Sequence, residues 1–117
     1  MTRERRLPDY VADMRLAASD AVSFLGGMNL EAFEADRKTQ RAVIMCLIII
    51  GEASARIVER HRDFVDHHTS LPWHEMRGLR NRIVHGYSGI NLEVVYQTVR
   101  TSLPSLVTQL DGIKVED

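Results

Sequence analysis

Apolar residues recur every three or four positions along most of the chain, which is the period of amphipathic α-helices. We predict a first helix that begins near Pro8 and ends at Gly26-Gly27, because proline is tolerated in a first turn and glycine suits a left-handed stop. Asn29 is expected to cap a short helical turn that follows. The apolar face of the first helix is expected to consist of Tyr10, Met14, Ala17 or Ala18, Ala21, and Phe24 or Leu25.

A longer helix is predicted from Asp36 or Thr39 to about Arg62. Its middle, Val43–Ile50, is apolar on nearly every side, so this helix should be buried on more than one side. In a chain this small, a central helix that also contacts a second copy explains the pattern most simply. Gly51 costs the helix about 1 kcal/mol relative to alanine, and we expect another backbone to come close there.

The polar segment His61–Ser70 is predicted to be a loop. A fourth helix should follow, with Ser70 as its cap and Pro72 in its first turn. Gly86 and Gly89 should end this helix. Its apolar positions are Met76, Leu79 and Ile83.

A last helix is predicted after Asn91, and Pro104 should kink or split it. No strand-like alternation, repeat or linker interrupts the helical pattern. The sequence therefore predicts an all-α, up-and-down bundle of four or five helices, with residues 1–117 in a single domain. The stripe of the last helix is Leu92, Val95 or Tyr96, Val99, Leu103, Leu106 and Leu110.

The composition narrows the class of protein without indicating an activity. Apolar residues form 44% of the 117-residue chain and charged residues 26%, which is typical of a soluble globular protein. The net charge of −1 gives no overall positive field for nucleic acid. The lone Cys46 fits a reducing compartment, and the longest apolar run, Ile44–Ile50, is much shorter than the roughly 20 residues that cross a membrane. We therefore expect a cytoplasmic protein without a membrane span.

Two clusters of arginine are local exceptions to the neutral balance. Phosphate binding requires only a local basic patch, so either cluster could bind nucleic acid. A solvated helix face explains the first cluster equally well. The first cluster is Arg56, Arg60 and Arg62, and the second is Arg77, Arg80 and Arg82.

Arg80 and His85 carry the chemical groups that RNA cleavage by the 2′-hydroxyl requires. In that reaction a base removes the 2′ proton, positive charge stabilises the phosphorane, and an acid protonates the leaving 5′-oxygen. Histidine titrates near neutral pH, and the arginine fork matches two phosphate oxygens. The chemistry needs no metal and no cofactor, and we expect neither.

Helical geometry alone separates these two side chains. Five residues of regular helix turn about 500°, which leaves Arg80 and His85 about 140° apart. Gly86 can relieve this separation by letting the last turn tighten or unwind. A second copy of the chain can also relieve it, because two facing segments would bring two histidines to one phosphate.

The segment Arg80-Asn81 to His85-Gly86-Tyr87 resembles the RX4HXY motif of the HepT-like branch of HEPN-domain ribonucleases. Three further blocks occur in the order found in that family, and the resemblance extends from about Leu7 to Leu110. These blocks are Asp36–Gln40 (DxKTQ), Ile50–Ala53 (IGEA), and Pro72-Trp73 followed by Arg77–Asn81 (PW…RGLRN).

The resemblance implies a HEPN-like bundle that forms a homodimer with its two motifs facing each other. It also implies a toxin of a toxin–antitoxin pair that cuts RNA without a metal and has a minimal nucleotidyltransferase as its antitoxin partner. Carried over to this chain, Arg80 and His85 would be catalytic. Tyr87 would accept AMP from the antitoxin, and the added phosphate would silence the site.

Several neighbouring residues are candidates for supporting roles. Glu52 follows an apolar stretch, and it either ties the long helix to Arg80 or Arg77 or orients His85. Asn81 adjoins Arg80 and could bond to backbone or RNA. The candidates for RNA binding are Arg77 and Arg82.

Purely structural or non-catalytic explanations compete with several of these hypotheses. Trp73 is expected to anchor the core rather than stack on a base. The polar loop is expected to be solvated rather than a metal site, because its spacing fits no compact ligand template. The alternative for the whole chain is a non-catalytic dimer that binds nucleotide or the nucleotidyltransferase. The loop's candidate ligands are His61, His67, His68, His74, Asp63 and Asp66.

Overall fold

A computed structural model describes residues 5–83 and 89–115, and all regular structure in these ranges is helical. The prediction of an all-α bundle is therefore confirmed. There are more and shorter segments than expected, because two of the predicted helices are interrupted. The elements are α1 (Leu7–Leu25), α2 (Leu30–Glu34), α3 (Arg37–Arg60), α4 (Arg62–Asp66), α5 (Trp73–Arg77), α6 (Leu79–Ile83), α7 (Leu92–Gln97), a π-helical turn (Thr98–Ser102) and α8 (Leu103–Asp111).

Helices α1 and α3 form an antiparallel pair at the centre of the fold. Arg60, at the end of α3, donates a hydrogen bond of 3.3 Å to the hydroxyl of Tyr10, near the start of α1. The predicted end of α1 at Gly26 and the predicted start of α3 at Asp36 are confirmed, whereas α3 ends at Arg60, slightly before the predicted end near Arg62. Gly26 has a φ of 53° after α1, and the carboxylate of Asp36 accepts from the Thr39 backbone N–H at 3.0 Å before α3.

The segment predicted to be a loop, His61–Ser70, contains the short helix α4 and part of the core. Val65 is buried. The Phe64 ring stacks on His68 with centroids 4.1 Å apart and meets Trp73 edge-on at 6.1 Å. Two apolar residues in a polar segment were enough to dock this turn on the bundle.

The predicted fourth helix begins later than expected and is broken. Ser70 is not its cap, because Pro72 occupies the N-cap position and α5 begins at Trp73. At Gly78 the helix is interrupted, which separates α5 from α6. The indole N–H of Trp73 donates to the His68 carbonyl at 2.9 Å and the residue is buried, so its role as a core anchor is confirmed.

The last helical rod is split near Pro104, as the sequence predicts. Asn91 caps it by accepting from the Val94 N–H at 3.1 Å. The interruption is a π-helical turn at Thr98–Ser102, and Pro104 lies in the first turn of α8 just after it. A wider turn fits this place because proline has no N–H to continue the regular ladder.

The buried side chains of all these elements form one cluster. Helices α1 and α3 contribute most to it, and the buried side of α3 faces α1, α5 and α6. Its opposite side remains solvent-exposed although it is partly apolar, since Met45 is 56% and Ile49 is 37% exposed. No helix in the described part of the chain is both long and apolar enough to span a membrane.

Candidate active site

Arg80 lies on the short helix α6, which packs closely against the middle of α3. A Cβ atom built on Gly51 would lie 3.3 Å from the carbonyl oxygen of Met76 and 3.8 Å from the backbone nitrogen of Arg80. These distances leave little space for a larger residue at position 51. The expected close approach of a second backbone at Gly51 is confirmed, and it sets the position of the Arg80 main chain.

Two buried residues fix the rotation of α6 about its own axis. Leu79 and Ile83 are both buried, so the helix turns the side between them towards the core. With about 100° per residue, Arg80 leaves α6 about 80° to one side of that buried direction, and Arg82 about 80° to the other. Asn81 points away from the core, and all three polar residues are exposed. The structure therefore separates Arg80 from Arg82.

Arg77 lies on the same side as Arg80 despite the break between their helices. The N–H of Gly78 still donates to His74 at 3.1 Å, and its carbonyl accepts from the Arg82 N–H at 2.9 Å. These are helical hydrogen bonds, so Arg77 keeps the three-residue spacing that places it beside Arg80.

The second arginine cluster, Arg77, Arg80 and Arg82, is available to an anion. All three residues are exposed, and none of their guanidinium groups forms an ion pair within residues 5–83 and 89–115. A guanidinium that no carboxylate neutralises can bind two phosphate oxygens at once.

The first arginine cluster is more strongly compensated. Arg56 is 3.6 Å from Glu59, and Arg62 is 3.6 Å from Asp66. Arg60 donates to the Tyr10 hydroxyl. This arrangement favours the interpretation of the first cluster as a solvated helix face.

Glu52 faces a different part of the surface from Arg77 and Arg80. Among the described residues it forms no ion pair with either arginine, so the expected tie from α3 to α6 is not formed. It instead lines a groove of about 320 Å³ between α1 and α3, together with Ile49, Arg56 and others. The reason is helical geometry, because Glu52 is turned about 100° from Gly51, the residue that α6 contacts.

His85 and Tyr87 lie outside the described residues, and so does Gly86. The predictions that His85 is catalytic and that Tyr87 accepts AMP therefore remain predictions. The described chain stops at Ile83 and resumes at Gly89, which has a φ of 99°. The N–H of Asn91 donates to the Ile83 carbonyl at 3.2 Å, so the two ends of this segment meet directly after Arg80 and Arg82.

A cleft of about 270 Å³ opens where these two ends meet. It lies between α6 and the rod formed by α7 and the π-helical turn. The sequence pattern did not predict this cleft. The signal in the sequence was the pair Thr98 and Thr101 before Pro104, because hydroxyls that bond back to the helix often accompany bent or widened turns. Its lining residues are Arg82, Asn91, Glu93, Val94, Gln97, Thr98, Thr101 and Ser102.

The histidines of the polar segment and Cys46 have surroundings that indicate structural rather than functional roles. In the described ranges no three or more histidine, cysteine, aspartate or glutamate residues converge on a point that could hold a metal ion. The ring nitrogens Nδ1 of His67 and His68 lie 2.7 and 2.8 Å from the carbonyl oxygens of Asp63 and Phe64. Cys46 is buried and free, and burial followed by the nearby negative charge of Asp20 raises the pKa of its thiol.

Comparisons with known proteins identify the family. The family profile described as "Ribonuclease HepT-like" matches residues 14–113. The chain is 36% identical to "Probable ribonuclease HepT" of Thermococcus cleftensis, over 95% of this chain and 98% of the relative.

Two proteins of Methanocaldococcus jannaschii are also similar. One is named "Putative RNase MJ0127" (33% identity, 89% of this chain, 84% of the relative) and the other "Putative RNase MJ1380" (31%, 92% and 96%). No solved structure matches. The expected resemblance is confirmed on residues that include Arg80, Gly51 and most of the bundle. The chain belongs to the HepT-like ribonuclease family.

Proposed function

We propose that this chain is a metal-independent endoribonuclease that acts as the toxin of a toxin–antitoxin pair, with a minimal nucleotidyltransferase as its antitoxin. The observation that carries the proposal is the exposed guanidinium of Arg80, which meets no carboxylate in the described part of the chain. The close contact of α6 with Gly51 holds the Arg80 backbone in place. Relatives named as ribonucleases supply the class of reaction.

The proposed reaction is cleavage of an RNA strand by its own 2′-hydroxyl. His85 takes the 2′ proton as the 2′-oxygen attacks phosphorus. The Arg80 guanidinium stabilises the negative charge of the phosphorane. The His85 of a second copy protonates the 5′-oxygen as the P–O5′ bond breaks, which leaves a 2′,3′-cyclic phosphate and a 5′-hydroxyl.

The residues around Arg80 suit binding of the flanking strand. Arg77 lies beside Arg80, so it is placed to bind the next phosphate. Asn81 points to solvent next to Arg77, four residues after it along the helix, and supplies both a donor and an acceptor. Arg82 leaves the other side of α6, and we assign it to a different part of the RNA.

A second copy is proposed to dock on the exposed side of α1 and α3. We call this surface the α1–α3 patch and define it as Leu16, Met45, Ile48, Ile49, Glu52 and Arg56. Leu16 is 65% exposed and Met45 is 56% exposed, and both are large apolar side chains. Exposed apolar surface of this kind is typical of protein interfaces.

The position of the patch supports a composite site at the seam of the dimer. Gly51 and Ala53 lie about 100° to either side of Glu52 on α3. Gly51 contacts α6, and Ala53 is buried. Helix α6 therefore borders the patch, and a copy docked there would place its own α6 near that of the first.

The charges within the patch are self-complementary. Glu52 and Arg56 are exposed and one helical turn apart on the same face of α3. In a twofold interface each residue contacts the other copy's counterpart, so Glu52 of one copy can face Arg56 of the other. The role proposed for Glu52 is thus to orient the dimer.

Tyr87 is proposed as the acceptor of AMP from the antitoxin. An attached AMP adds bulk and a negative phosphate two residues beyond His85. Both would compete with an RNA phosphate for Arg80. The expected result is an intact mass that rises by one or more AMP units after co-expression with the nucleotidyltransferase, and no rise for Tyr87→Phe. The same rise in that variant would place the acceptor elsewhere.

The central experiment is RNA cleavage by the purified protein in EDTA. Arg80→Ala and His85→Ala should each abolish cleavage while the protein remains a folded dimer. Arg37→Ala is a matched control, because Arg37 is also an exposed helical arginine but lies at the start of α3. It should cleave like the parent.

Two outcomes would contradict the proposal in different ways. If both variants cut as well as the parent, the assignment of Arg80 and His85 is wrong. If the unmodified parent cuts no RNA in any buffer, the non-catalytic alternative replaces the ribonuclease. A cyclic phosphate at the 3′ end of the products, read by mass spectrometry, would support attack by the 2′-hydroxyl.

A further inference from the structure

The cleft between α6 and the π-helical turn has no role in the reaction proposed above. Its volume of about 270 Å³ lies just below the usual range for small-molecule pockets, which is about 300–1,000 Å³. A space of this size suits one nucleobase rather than a whole nucleotide. Arg82 forms one wall, and the contact between Asn91 and Ile83 places the cleft at the base of the segment that carries His85.

The opposite wall presents hydrogen-bond acceptors. The Thr98 hydroxyl donates its proton to the Val94 carbonyl at 2.7 Å, and the Thr101 hydroxyl donates to the Gln97 carbonyl at 2.6 Å. Each of these oxygens therefore has only lone pairs left for a ligand. The exposed carboxylate of Glu93 adds two further acceptor oxygens to the cleft.

The remaining lining residues suit the flat face of a base. Arg82 is exposed and forms no ion pair among the described residues, and arginine guanidinium planes stack on unpaired RNA bases. Val94 offers a half-buried apolar surface. The amide of Gln97 can both donate to and accept from a base edge.

We propose that this cleft binds one nucleobase near the cut phosphate and prefers bases with an exocyclic amino group over uracil. This inference rests on the proposed ribonuclease function and makes it selective for sequence. Adenine, cytosine and guanine carry amino donors that match the oxygens of Glu93 and Thr101. The pairing edge of uracil has two carbonyl oxygens and a single N–H, and no amino group. Its carbonyl oxygens would therefore face the acceptor oxygens of the cleft without forming hydrogen bonds.

The π-helical turn forms part of the wall that carries these acceptors. It contains Thr98 and Thr101, and it directs their oxygens into the cleft. Single π-helical turns are frequent at functional sites. Val94, Gln97, Thr98 and Thr101 follow the three- and four-residue spacing that places side chains on one face of a helix, so their polar groups line the same wall of the cleft.

Binding of uncleavable RNA tests the cleft separately from catalysis. The probes are 2′-O-methyl tetranucleotides of adenine, cytosine or uracil, in which the attacking hydroxyl is blocked. The parent should bind the adenine and cytosine probes about tenfold more tightly than the uracil probe, the discrimination that one good base contact provides. Calorimetry or fluorescence anisotropy measures the three affinities.

Two substitutions should remove the preference without changing the fold. Thr101→Val keeps the shape and removes the acceptor, and Glu93→Gln replaces an acceptor with an amide that can also donate. Thr108→Val is the matched control, because Thr108 also donates back along its helix, to Pro104 at 3.3 Å, but lies on α8 outside the cleft. It should retain the full preference for adenine and cytosine.

Failure of this inference is distinguishable from failure of the ribonuclease. Equal affinities for the three probes in the parent, or an unchanged preference in both variants, overturn the base-binding cleft even if the parent cuts RNA. A parent that discriminates between the probes but never cuts RNA overturns only the catalytic proposal. In an active parent, mapped cleavage sites should show few uracils at one fixed position beside the cut, and Thr101→Val should restore them.

Discussion

The backbone nitrogen of Arg80 lies 3.8 Å from the point where a Cβ atom would stand on Gly51. The residue of α3 that lacks a side chain thus sets how near the proposed catalytic arginine approaches the core. We predict that Gly51→Ala lowers RNA cleavage at least tenfold. The new methyl group would meet the Met76 carbonyl at 3.3 Å and push α5 and α6 outward, and a small displacement of a catalytic group is costly.

The stability of Gly51→Ala should change much less than its activity. Overpacking a tight contact costs about 1–3 kcal/mol, while alanine gains about 1 kcal/mol of helix propensity over glycine. We expect a net loss of about 1 kcal/mol in urea unfolding. Gly27→Ala is the control, because nothing lies within 4 Å of its added Cβ. If Gly51→Ala cleaves like Gly27→Ala, the contact does not position Arg80.

Arg80 and Arg82 should respond differently to replacement by lysine. Lysine keeps the charge but loses the planar fork that binds two phosphate oxygens. Arg80→Lys should lower kcat by about 100-fold, the loss typical of removing one donor to a developing charge. Arg82→Lys should raise KM and leave kcat nearly unchanged, because its side chain leaves α6 on the other side. Equal effects on kcat from both variants would contradict the separation of the two arginines.

The beginnings of three helices, unlike that of α5, were well predicted from the sequence. Asn29, Asp36 and Asn91 all act as caps, and each effect depends on residues within one turn of the chain. The sequence did not predict helix α4, because Phe64 and Val65 are its two apolar residues in an otherwise polar segment. Their packing depends on distant parts of the bundle. Local signals therefore predicted where helices begin better than how they pack.

The candidate site divides in the same way. The sequence identified Arg80 and the close approach at Gly51, because a motif and a glycine in an apolar helix are both local features. It could not show that Arg82 faces a cleft, or that Glu52 faces α1 rather than α6. The direction of Arg82 depends on how α6 is rotated against α3, which the burial of Leu79 and Ile83 decides, and the direction of Glu52 depends on which side of α3 contacts α6, which the close approach at Gly51 decides.

The cap of α3 should make stability depend on pH. Hydrogen bonds from the backbone N–H and then the hydroxyl of Thr39 lower the pKa of Asp36 below its usual value of 3.8. A carboxyl with a lowered pKa in the folded state stabilises the fold above its unfolded pKa. That stability is lost as the pH falls below about 4 and through the folded pKa.

Asp36→Asn should therefore show a weaker dependence of Tm on pH than the parent. The asparagine oxygen can still accept from the Thr39 N–H, but it does not titrate. Thermal melts at pH 6, 4 and 3 measure the difference. Thr39→Val keeps the backbone donor and removes the hydroxyl, so its slope should be intermediate. Identical slopes for the parent and Asp36→Asn would show that the cap contributes nothing to acid sensitivity.

Charge reversal tests the proposed dimer through Glu52 and Arg56. If these residues face each other across a twofold axis, Glu52→Arg places two arginines in contact at each end of the interface, and Arg56→Glu places two glutamates there. Each single variant should shift the protein towards monomer in analytical ultracentrifugation and reduce RNA cleavage in parallel, because the composite site needs both copies. The double variant restores opposite charges, and it should recover both the dimer and the activity.

A polar substitution on another face, Thr108→Glu, should change neither. If the double variant stays monomeric while Thr108→Glu remains dimeric, Glu52 and Arg56 do not pair across the seam. If the two single variants remain dimers and cut RNA normally, the second copy docks elsewhere and the α1–α3 patch is not the seam.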